Sequence, residues 1–141
     1  MFRIAILDLY NNAPNEGMRC LKQLLADFHE SVYYAVFDVR VRGELPGLDF
    51  DAYISTGGPG NPYGEGEEWE AGWAAWINAV LVFNKENNTG RKHVFMICHS
   101  FQLMCIHQHS SRVHPVRRSR HPGRAAGRRA RRVKIDPSTG S

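Results

Sequence analysis

Apolar residues fall along this chain in short runs separated by polar turns, and their period switches between that of a strand and that of a helix as one run gives way to the next. Arg3-Ile4-Ala5-Ile6-Leu7-Asp8-Leu9 is a short apolar run that ends in Asn11-Asn12-Ala13-Pro14-Asn15, the pattern of a buried strand feeding a loop. Asn15 is suited to cap a helix. Behind it Met18, Leu21, Leu24, Leu25 and Phe28 recur at helical spacing, with Arg19, Lys22, Gln23 and Asp27 on the other face. Residues 32–38 read as a second strand and residues 50–55 as a third, separated by the turn-rich Gly43-Glu44-Leu45-Pro46-Gly47. Trp69, Trp73, Trp76, Val80 and Phe83 form one helical stripe that starts in the acidic turn Glu67-Glu68-Glu70, and the stripe is expected to pack into a core. A fourth strand then stops at Cys98, and a helical pattern begins immediately after it.

Strands alternating with helices predict an α/β fold of right-handed β-α-β units. Its sheet would be open and mainly parallel, with helices on both faces, as in a flavodoxin-like three-layer sandwich, and functional groups would gather at the carboxyl ends of the strands. Two loops leave such ends. In Ser55-Thr56-Gly57-Gly58-Pro59-Gly60-Asn61-Pro62 the glycines allow close backbone approach, so amide N–H groups can be aimed at an anion. The stretch matches neither the phosphate-loop pattern nor the dinucleotide fingerprint. The other loop is the turn at Cys98. A sharp strand-to-helix bend there would lift the sulfur above the sheet beside the following backbone N–H groups, the arrangement of a nucleophile elbow.

Charge divides the chain of 141 residues into two unlike pieces. Residues 1–109 hold 8 Lys+Arg against 13 Asp+Glu, a balance of −5; residues 110–141 hold 10 basic residues against one acid, a balance of +9. The acidic, aromatic-containing piece has the composition of one globular domain, whereas an Arg, Pro, Gly and Ala tail buries too little apolar surface to offset its ordering entropy. The expected boundary lies near Ser110, with a domain over 1–109 and a disordered tail over 110–141. Residues 2–9 are too short, and too interrupted by Arg3 and Asp8, to be a secretory or membrane segment, so a cytoplasmic location is expected. Cys20, Cys98 and Cys105 form no C-x-x-C pair and no metal-spaced cluster, which suits free thiols and no metal. Cys105 is expected in the core on the helix after the elbow.

The paired loops resemble those of the class I, triad-type glutamine amidotransferases, the domain found in GMP synthase and carbamoyl phosphate synthetase. Ser55-Thr56-Gly57-Gly58-Pro59-Gly60 is similar to that family's oxyanion loop, and Ile97-Cys98-His99-Ser100-Phe101-Gln102 to its G-x-C-x-G-x-Q elbow. The resemblance covers residues 1–109. It implies that Cys98 attacks the side-chain amide of L-glutamine to give a thioester and ammonia, without a cofactor. By the same likeness the backbone N–H groups of Gly58 and His99 hold the oxyanion, and Gly57, Pro59, Gly60 and Gln102 help bind the substrate. A synthetase or acceptor domain would be the partner that uses the ammonia.

The chain departs from the family pattern in two respects. Met96 and Ser100 stand where glycine is usual, and their Cβ atoms are expected to crowd a tight turn. The family's proton acceptor comes from a downstream His-x-Glu, yet no Glu follows Glu86. His107 and His109 are poor substitutes, since nine positions along a helix is ~13 Å from the elbow. Little or no glutaminase turnover by this polypeptide alone is therefore expected. The basic segment, with nine Arg against one Lys and no aromatic residue, has the look of out-of-frame translation or a truncated relic. It would bind nucleic acid only nonspecifically, through phosphates. Two other readings are a non-catalytic module that keeps the glutamine pocket and a basic-tailed nucleic-acid binder.

Overall fold

The computed structural model describes residues 1–63 and 66–113. Its elements run β1 (Phe2–Asp8), α1 (Glu16–Ala26), β2 (Val32–Asp38), α2 (Val39–Arg42), β3 (Ala52–Ser55), α3 (Glu68–Glu86), β4 (His93–Met96) and α4 (His99–Val113). The four strands form one sheet in the order β2-β1-β3-β4, parallel throughout. This is the α/β architecture expected from the alternation of periods, in the order of a flavodoxin-like sheet.

Alternation along β1 splits the interior into two cores. Ile4 and Ile6 face one side, where they meet Met18 and Leu25 of α1. Ala5 and Leu7 face the other, with Leu9 just beyond the strand, and join Trp69, Trp73, Trp76, Ile77 and Val80 of α3 and Leu103 of α4. Helices therefore cover both faces, and the larger core lies under α3. An acceptor stabilises a buried tryptophan NH group; on that side Trp73 has one, whereas Trp76 Nε1 has no partner among the described residues. Trp73 donates to Ser55 Oγ at 3.1 Å, tying the middle of α3 to the end of β3. Asn84 brackets the approach to β4: its amide donates to the Lys92 carbonyl at 2.8 Å, and its oxygen accepts from Lys92 N–H at 2.7 Å.

Several local expectations change. Asn15 caps α1 by accepting from Gly17 N–H, as its position suggests. Leu24 and Phe28, however, are exposed. Leu24 stands about 120° round the helix from the line through Met18 and Leu25 at 100° per residue, and Phe28 lies past the helix end. Cys105 is exposed, not in the core, because the apolar face of α4 is set by Leu103. The third strand begins at Ala52; Phe50 packs in the core from the preceding turn. Helix α4 continues through Ser110 to Val113, past the shift in charge, and residues 114–141 of the basic segment lie outside the described residues. No described helix is long and apolar enough to cross a membrane.

The carboxyl ends of β1 and β3 are locked together before any site is built. Leu9 N–H donates to Thr56 Oγ1 at 2.9 Å, and Thr56 N–H donates to the Leu7 carbonyl at 3.0 Å. Gly58 then presses against Leu9 so closely that a Cβ on it would overlap the Leu9 carbonyl oxygen. Gly58→Ala is accordingly expected to cost about 3 kcal/mol of unfolding free energy, as an overpacked site with rigid backbone on its far side. Urea unfolding checks this, and a loss under about 1 kcal/mol would show that the loop can move off β1.

Candidate functional site

Cys98 sits between β4 and α4 with φ +51°, the left-handed region that a residue bearing a Cβ adopts at a cost of roughly 1–2 kcal/mol. This bend is what turns the chain from strand to helix at one residue. Ser100 holds it. The fully buried Ser100 hydroxyl donates to the Ser55 carbonyl at 2.7 Å and accepts from Ile97 N–H at 3.1 Å, and that same Ser55 carbonyl also receives Ile97 N–H at 3.0 Å. The expected crowding by a Cβ at position 100 is therefore absent; the side chain ties the bend to β3. Met96 fits for a similar reason, since as the last residue of β4 it packs against the larger core.

Across from the bend lies the glycine loop. A Cβ on Gly57 would sit 3.4 Å from Cys98 Cβ, so the loop backbone passes directly beside the cysteine. Between them opens a cleft of about 390 Å3, lined by Tyr10, Ala13, Asn15, Gly57, Gly58, Pro59, Ile97 and Cys98. Among the described residues its lining contains no carboxylate and no imidazole. Among the described residues, no hydrogen bond occupies the backbone N–H of Gly58 or of His99. Both stay open to an incoming acceptor.

The loop has a second side. Gly60, with φ +119°, and Pro59 border another cleft, of about 270 Å3, lined also by Arg40, Asn61, Glu67, Trp69, Glu70 and His99. Arg40 anchors this region: its side chain is 9% exposed, it donates to the Pro59 carbonyl, it pairs with Glu67 at 3.5 Å, and it lies 4.7 Å from the centre of the Trp69 ring. Glu67 in turn accepts from the Trp69 indole N–H. His99 is 3% exposed, with its ring beside Trp69. Burial, and then the Arg40 charge, hold its imidazole below the ordinary pKa. Burial and the neighbouring Glu67 push the Glu70 carboxyl up, and Arg40 partly offsets them.

The sequence-predicted residues thus divide. Cys98, Gly57, Gly58 and Pro59 share the first cleft; Gly60 and the His99 side chain belong to the second, while the His99 backbone starts α4 beside the cysteine. Gln102 is exposed and lines neither cleft; its backbone N–H donates to the Cys98 carbonyl at 3.1 Å. His107 is bonded to Asn78 of α3 at 3.0 Å, away from the elbow. Tyr10 and Arg40 were missed. Both follow the carboxyl ends of strands, the edge where the other loops meet, and that position was the available signal. Among the described residues no group of three or more His, Cys, Asp or Glu is placed to hold a metal. No family model matches this chain, and no curated protein and no solved structure matches it.

Two measurements follow from the geometry. Glycine relieves a left-handed bend and alanine does not, so Cys98→Gly is expected to be more stable than Cys98→Ala by about 1 kcal/mol in denaturant unfolding; equal stabilities would mean the bend is unstrained. His99 has a lowered folded-state pKa, so it favours the fold when neutral. Its contribution is complete above the unfolded value of about 6.5 and is lost as pH falls through the folded value. Melting at pH 7.5 and 5.5 is expected to show a larger acid-side loss for the native chain than for His99→Gln, and identical losses would remove His99 from the account.

Proposed function

We propose that residues 1–109 carry a glutamine amidotransferase-type site: Cys98 attacks the side-chain amide of glutamine, and the oxyanion forms between the backbone N–H groups of Gly58 and His99. The observation that carries this reading is the left-handed Cys98 at a strand-to-helix corner, set against Gly57. In the step itself the sulfur bonds to the carboxamide carbon, the C–N bond breaks, and ammonia leaves with the thiol proton; water later releases glutamate from the thioester. Each preorganised donor is worth about 3 kcal/mol of barrier. A cleft lined by neutral groups favours an uncharged carboxamide over a charged group at the reacting carbon.

Turnover is a separate matter from binding. Amide cleavage needs a group to carry the thiol proton to the leaving nitrogen, and among the described residues the cleft lining includes no imidazole. The buried His99 faces the other cleft. This favours a site that binds glutamine and reacts with activated analogues while hydrolysing glutamine slowly, which also covers the reading of a glutamine-binding module. The nucleic-acid reading rests on residues that lie largely outside the described ones.

The diazoketone analogue of glutamine is expected to label Cys98, with Cys20 and Cys105 spared and excess glutamine protecting, while ammonia release stays at least 100-fold below an ordinary enzyme turnover of about 10 per second. Peptide mapping after labelling and a coupled ammonia assay give the two readouts. Equal labelling of all three thiols would dismiss the site, and rapid ammonia release would dismiss the impairment.

A further inference from the structure

Tyr10 is the one residue of the Cys98 cleft with a side-chain hydroxyl, and its O–H makes no hydrogen bond among the described residues. The chain holds it there deliberately in the physical sense: several constraints converge on its position. Asp8 accepts from Tyr10 N–H at 2.9 Å, the Tyr10 carbonyl accepts from Ala13 N–H at 3.0 Å, and Asn11 and Asn12 both adopt left-handed backbone, φ +55° and +59°, so the loop folds back on the end of β1. Gly17 leaves room for the ring, since a Cβ there would come within 2.8 Å of the Tyr10 hydroxyl. On the opposite wall a Cβ on Gly57 would be 3.7 Å from that hydroxyl and 3.4 Å from Cys98 Cβ. The phenol hydroxyl and the Cys98 Cβ therefore flank the same glycine.

We infer that the Tyr10 hydroxyl determines specificity at this site, selecting a neutral primary carboxamide over a carboxylate at the carbon Cys98 attacks. This rests on the reading of Cys98 as a nucleophile toward amides. A carboxamide offers N–H groups to the hydroxyl lone pair and a carbonyl oxygen to the backbone donors, so each partner is satisfied. A carboxylate offers only acceptors. The hydroxyl can donate to it but receives no hydrogen bond in return, and its charge is brought toward the Asp8 carboxylate, whereas the carboxamide brings no charge and offers the hydroxyl both a donor and an acceptor. Burial, followed by the negative charges of Asp8 and Cys98, pushes the Tyr10 phenol pKa up, so the hydroxyl stays intact as a donor and acceptor at neutral pH.

Iodoacetamide and iodoacetate carry these two groups one bond from the methylene carbon that the sulfur alkylates, close enough to meet the Tyr10 hydroxyl during the reaction, and all three thiols of the native chain are exposed, so Cys20 and Cys105 serve as references within each molecule. Peptide mapping of alkylation rates is expected to give Cys98 an amide-to-acid preference about tenfold above that of the other two. Tyr10→Phe should cut that excess at least threefold while the rates at Cys20 and Cys105 stay fixed. A second reading uses no alkylating carboxyl: glutamine should protect Cys98 from iodoacetamide better than glutamate does in the native chain, and the two should protect alike in Tyr10→Phe. An amide preference at Cys98 equal to the reference thiols, or one unchanged by Tyr10→Phe, overturns the inference even where glutamine protects. If the preference is present and falls in Tyr10→Phe while glutamine gives no protection, the Tyr10 assignment stands and glutamine is the wrong amide.

Discussion

A cysteine at φ +51° is an expensive residue to hold in place, and the hydroxyl of Ser100 is what holds it. By bonding at once to the Ser55 carbonyl and Ile97 N–H, that hydroxyl fixes the end of β4 to the end of β3 and forces the chain to turn within one residue. The position of the sulfur, its closeness to Gly57 and the start of α4 all follow. Leu9, Thr56 and Gly58 play the matching part on the other wall, where side-chain and backbone hydrogen bonds clamp the glycine loop to β1. The cleft between the two walls is thus lined by loop residues that these bonds pin to the ends of three strands, which keeps its geometry fixed.

The architecture was legible because its signals are long and periodic. The alternation of strand and helix periods located every strand within about two residues and gave α1 and α3, with Asn15 as a cap and the tryptophan stripe in the core. The elbow was legible too, as a strand pattern interrupted by one cysteine. Failures came where a side chain acts through tertiary contacts. Ser100 looked like an obstruction because a sequence shows its Cβ but not the two backbone groups waiting for its oxygen. Leu24 looked buried because apolar character was read without fixing its angle round the helix. Arg40 lies on the short helix α2, too brief to leave a periodic trace, and its importance comes from Pro59, Glu67 and Trp69, which are far from it along the chain.

The glycine loop also separates two electrostatic environments. On one side stand the sulfur, a phenol and backbone amides; on the other stand Arg40, Glu67, Glu70 and His99. Groups able to move protons are therefore present in the molecule but partitioned from the cysteine by backbone. The backbone of the loop stands between the first side and the ion pair of Arg40 and Glu67 on the second.

β4 has four residues, pairs within the described sheet with β3 alone, and leaves Phe95 65% exposed. Strands so lightly attached are the ones that detach first when a native protein breathes, at a free energy well below that of global unfolding. The wall bearing the sulfur is carried on this outermost strand, whereas the facing wall hangs from the central β1. Detachment of the edge would release the strained backbone at residue 98 and erase the cleft in one event, with the rest of the sheet intact.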